Sequence, residues 1–95
     1  MNQADLEAVV ARIERMERCF DRLCEAVKSN QPPVFSDSDC KRMLRELIDY
    51  YEGGQWLRDY TLDEQGMLPQ TLKRGVLSED GVYNLLSALE DARQQ

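Results

Sequence analysis

Four carboxylates raise the first chemical question: Glu14-x-x-Glu17 and Glu46-x-x-Asp49. On a helix, residues three apart are surface neighbours, and clustered carboxylates are what a hard cation such as Mg²⁺ requires. Two such pairs on facing helices would make a site for metal-assisted phosphate chemistry. The helical periodicity argues against that arrangement. Counting 100° per residue, Glu46 and Asp49 lie about 130–170° from the apolar face of their helix. Glu14 is turned away on its own helix, so these acids are expected in solvent. A second acidic run, Asp59, Asp63 and Glu64 before Gly66, lacks the alternate spacing and distal glutamate of an EF-hand loop.

The other chemistry-bearing types lead to the same place. A reactive thiol needs a base or a positive field. The chain has no histidine, and Cys19, Cys24 and Cys40 fall on or beside helix packing faces. They read as small buried hydrophobes. Lys73-Arg74 precedes Gly75 without the glycine-rich run of a phosphate cradle. It reads instead as a cationic helix C-terminus with ion pairs to Asp63 or Glu64. No cofactor, metal centre or catalytic set is therefore expected. The remaining concentration is aromatic and cationic: Tyr50, Tyr51, Trp56, Arg58 and Tyr60. Such residue types anchor interfaces. They equally suit a folded corner, with Trp56 sealing the end of the bundle and its N–H reaching a backbone carbonyl. Trp56, Arg58, Tyr60, Lys73 and Arg74 are the candidate partner-binding residues.

The elements that must position these side chains are helical. Leu6, Val9, Ile13, Met16, Phe20, Leu23 and Val27 alternate steps of three and four, the a and d positions of three heptads. Asn2 is placed as N-cap, and the helix should end near Ser29–Asn30, before Pro32-Pro33. Its outer face carries a row of Arg15, Arg18 and Arg22 beside a row of Glu14, Glu17, Asp21 and Glu25, expected in water. Ser36 is the expected cap of a second helix, with Phe35 and Cys40 as a hydrophobic staple. That helix has an apolar set of Cys40, Met43, Leu44, Leu47, Ile48 and Tyr51, and Gly53 supplies its left-handed end. One or two helical turns start at Gly54, and Gly66 supplies a positive φ. A short turn over 68–72 stops at Gly75. Ser78 caps a last helix with Val82, Leu85, Leu86 and Leu89 inside. The reading is a single all-α domain over residues 1–95: a small helical bundle whose long first helix is packed by two shorter helices and a short connecting one.

Composition narrows the partners. The chain has 95 residues with 18 acids against 12 bases, a net charge of −6. That is the wrong sign for nucleic acid and for anionic membranes. An odd number of cysteines without a secretory pattern reads as reduced thiols in a cytoplasm. The first helix, with its long apolar seam, leaves a homodimer open.

One further likeness comes from the residue strings themselves. Tyr50-Tyr51…Trp56-x-x-Asp59, Asp63-Glu64-x-Gly66-x-Leu68-Pro69 and Leu72-Lys73-Arg74-Gly75-Val76-Leu77-Ser78-Glu79-Asp80 resemble the hallmark of a family of small bacterial proteins, domain of unknown function 4298. The likeness covers nearly the whole chain in length and order. It is specific over residues 50–86; the first helix matches in heptad character, and Gly81 departs from the pattern. The resemblance implies a bacterial or phage protein and carries over no functional residues. The function expected from the residues is a small acidic module that binds another protein without catalysis. Two rivals stay open. The paired acids also resemble the signature of the all-α nucleotide pyrophosphohydrolases, which implies a Mg-dependent nucleotide hydrolase using Glu14, Glu17, Glu46 and Asp49. A phage- or plasmid-borne inhibitor of a host nuclease or defence protein is the other.

Overall fold

Asn2 starts the first helix as expected, its Oδ1 accepting from the Asp5 amide at 2.8 Å. The computed structural model describes residues 2–29, 37–78 and 80–93. Among them lie α1 (Gln3–Ser29), α2 (Ser38–Glu52), α3 (Gln55–Glu64), a 3-10 turn (Gly75–Leu77) and α4 (Gly81–Arg93), with no strand. The 27 residues of α1 span about 40 Å at the standard rise. The molecule measures 46 × 23 × 21 Å, so α1 is its spine. Packed against α1 are α2, with the largest share of the contact, the 3-10 turn and α4. Among the described residues no helix is long and apolar enough to cross a membrane.

The heptad seam is the core. Val9, Ile13, Met16 and Leu23 are buried, and Leu6, Phe20 and Val27 pack partly against them. Each such aliphatic side chain contributes about 1.5–3 kcal/mol when fully removed from water. The buried face is wider than the seam and takes in Cys19, Ala26 and Glu17. Facing it are Cys40 and Leu47 of α2, Val76 and Leu77 of the 3-10 turn, and Val82, Leu85 and Leu89 of α4.

The helix ends depart from expectation at three places. The cap of α2 is Asp37, whose Oδ1 accepts from the amides of Asp39 (2.8 Å) and Cys40 (3.2 Å). A carboxylate there also meets the positive end of the helix. Ser36 and Phe35, the expected cap and staple, lie outside the described residues. Gly53 stays right-handed, because its N–H still bonds the Asp49 carbonyl, and the left-handed residue is Gly54 (φ 95°), which opens α3. Ser78, the expected cap of the last helix, turns its hydroxyl back the other way. Its hydroxyl donates to the Gly75 carbonyl, closing the 3-10 turn, and α4 begins at Gly81.

Between α3 and α4 the chain is held without a helix over 68–72. Gly66 has φ 72°, and the paired bonds Met67 N–H to the Leu62 carbonyl and Gly66 N–H to the Asp63 carbonyl make a Schellman closure of α3. Beyond it, the Arg74 guanidinium donates to the carbonyls of Pro69, Gln70 and Leu72. A side chain thus satisfies oxygens that a helix would have used itself; the expected short turn is the single bond from the Leu72 N–H to the Pro69 carbonyl at 3.2 Å, and the 3-10 helix beyond it begins at Gly75.

Candidate functional site

Three helices meet at one carboxylate. Asp59 of α3 is fully buried. Its Oδ2 accepts from Arg12 Nε of α1 at 3.0 Å and from the Tyr50 hydroxyl of α2 at 2.7 Å. Its Oδ1 takes Arg12 Nη2 at 2.5 Å. A buried carboxylate is tolerated only when a cation and hydrogen bonds replace its water, and this one has both. The Arg12 guanidinium is raised above its ordinary value chiefly by its hydrogen bond to Asp59. Burial, then the hydrogen bond to Asp59, pushes the Tyr50 phenol far above its ordinary range. Tyr50, expected on the recognition surface, is therefore core, and Asp59 is not an exposed cation ligand. The helical wheel carried a signal for the ion pair: Asp59 shares a face with Trp56, and Arg12 shares one with Val9 and Met16.

A second buried carboxylate corrects the solvent row on α1. Glu17 is 7% exposed, and its Oε1 accepts from the Val76 amide at 2.7 Å. Gly75 packs closely against it: a Cβ there would stand 2.9 Å from Glu17 Oε2, and the carboxylate would have to move.

Trp56 joins α3 to the same 3-10 turn. Its indole N–H donates to the Val76 carbonyl at 2.8 Å. The ring stacks on Tyr60 with centroids 5.0 Å apart and meets Tyr51 edge-on at 5.1 Å. Both Trp56 and Tyr60 are half-buried. Beside them Arg58 is exposed, as is Leu57 at 59%. Arg74, also half-buried, donates Nε to Asp63 at 2.6 Å, while Lys73 is exposed.

The paired acids are not brought together. Glu14 and Glu17 line a groove between α1 and the 69–73 segment, whereas Asp49 lines a different depression on α2 beside Lys41 and Arg45. Glu46 accepts instead from the Cys19 thiol at 3.6 Å. Among the described residues no group of three His, Cys, Asp or Glu side chains could hold a metal ion. The cysteines are unpaired, Cys19 and Cys40 buried and Cys24 half-buried. Burial, followed by the neighbouring Glu46, pushes the Cys19 thiol up; burial and then Asp21 does the same to Cys24. Both are held in the form that does not attack.

Comparison with known proteins places this geometry in a family. The family model that matches residues 13–94, from Ile13 in the α1 seam through α4, is described as a domain of unknown function, DUF4298. No curated protein and no solved structure matches the chain.

Proposed function

The chain belongs to the DUF4298 family, and for it we propose a protein-binding role without catalysis, exercised through the surface of α3 and the loop that follows. The observation that carries this reading is the placement of exposed apolar side chains. The large hydrophobics exposed among the described residues are Leu57 (59%), Met67 (43%) and Tyr83 (64%). Two of the three fall in the corner formed by α3 and its Schellman turn. Single exposed hydrophobics are ordinary. Here Leu57 and Arg58 lie on the same helix as a Trp56–Tyr60 stack whose indole is tied to the Val76 carbonyl, and Met67 follows at that helix's closing turn. A rigid aromatic frame loses little entropy on binding. In this reading Trp56, Tyr60 and Arg74 frame the contact, and Leu57, Arg58 and Lys73 make it. A reducing, cytoplasmic setting fits the three unpaired thiols.

The experiment is affinity capture from extract of the source cells with the parent chain and with Leu57→Ala/Arg58→Ala. Both changes are on exposed positions, so the variant should fold. A protein retained by the parent and lost by the variant is the expected result. Identical retained proteins would remove the proposal.

A further inference from the structure

The two buried carboxylates among the described residues are treated differently. Asp59 has both oxygens filled, by a guanidinium and a phenol. Glu17 is nearly as deeply buried, yet only its Oε1 is engaged, by a neutral amide. Among the described residues no Lys or Arg forms an ion pair with it, and Oε2 meets no donor. No fully buried side-chain oxygen among the described residues lacks a hydrogen-bond partner, so Oε2 is the edge of this carboxylate that water still reaches. Glu17 also lines the groove between α1 and the 69–73 segment, about 410 Å³ in volume. Oε2 is the oxygen it has left to offer there.

We propose that this groove receives a basic side chain, lysine or arginine, from a partner protein. Its cationic head pairs with Glu17 Oε2, and its aliphatic stem lies along Val10 and Leu72. The volume falls within the roughly 300–1,000 Å³ of ligand-binding clefts. Glu14 and Asp21, which line the same groove, sit one helical turn to either side of Glu17. They hold the head between three carboxylates. Arg18 and Lys73 line the groove too, and neither forms an ion pair with its acids. That feature selects the source of the cation. A peptide brings backbone carbonyls for these two cations along with its charged head, whereas a free polyamine would meet only repulsion from them. The chain's net charge of −6 draws basic partners from a distance. The groove residues are distinct from Leu57 and Arg58, so each surface is judged by its own variants.

The test is an NMR titration of the full-length ¹⁵N-labelled chain with capped Ala-Ala-Arg-Ala-Ala and its lysine and norleucine counterparts, with putrescine as the free amine. The arginine and lysine peptides should shift amides around Glu14, Glu17 and Lys73, and the norleucine peptide should not. Glu17→Gln keeps an oxygen for the Val76 amide and removes the charge. It should weaken peptide binding by about tenfold, which is about 1.4 kcal/mol, while melting no lower than the parent without peptide. No binding by either basic peptide, binding untouched by Glu17→Gln, or equal binding by putrescine would each overturn the proposal. If Glu17→Gln fails to fold, Glu14→Gln/Asp21→Asn takes its place at exposed positions. Peptide affinity should then fall several-fold, and unchanged affinity overturns the idea.

Discussion

Asp59 shows how much a single side chain organises in so small a chain. Its carboxylate, carried on α3, takes hydrogen bonds from both α1 and α2. Removing its cation leaves a charge in the core, so Arg12→Ala should cost about 3–5 kcal/mol. Removing only the phenol, as Tyr50→Phe, should cost about 1.5–3 kcal/mol, the range for a hydrogen bond to a charged group. Urea denaturation midpoints check the order. The same network sets an alkaline limit. Folded Tyr50 keeps its proton far above the ordinary tyrosine value, while unfolded tyrosine loses it around pH 10. Its contribution is therefore complete below about pH 10 and falls as pH rises further. Tyr50→Phe should flatten that part of the stability–pH curve. Cys19 and Cys24, also raised, act with the same sign from the ordinary thiol value of about 8.5.

Helix ends are where local chemistry and tertiary structure exchange roles. α2 is capped within its own sequence by Asp37. Asp37→Ala should lower stability by about 1 kcal/mol. Amide exchange at Asp39 and Cys40 should quicken beyond what that global loss explains, because those two N–H groups lose their acceptor. α3 is a different case. Ten residues are too few to persist alone in water. Its start is a left-handed glycine with no side-chain cap, and its far end is closed by Gly66 and Met67. What holds it is tertiary: Asp59 to Arg12 and Tyr50, Trp56 to Val76, and Asp63 to Arg74.

At the scale of the molecule, these ties make local melting of α3 costly without loss of the rest. Trp56 fluorescence and far-UV helical signal should therefore lose native character in coincident transitions on urea titration, as for a two-state domain. An earlier change in tryptophan emission would mean that α3 detaches alone. The heptad of α1, the staggered apolar sets of α2 and α4, and the Gly66 break were legible in the linear order, since a 3.6-residue period and a glycine act on nearest neighbours. They were enough for the all-α class, for one long helix as spine, and for likeness to the family that the chain belongs to. The placement of Trp56 against a backbone carbonyl was legible too, because a buried indole N–H requires an acceptor. Which charges are dry was not. Glu17 and Asp59, like the half-buried Arg12, look like surface residues by type, and each lies beside an apolar stripe. Their burial was decided by what crosses over them from 47 to 59 positions away. A helical period fixes the direction in which a side chain points; only the packing of distant segments fixes whether water or protein is waiting there.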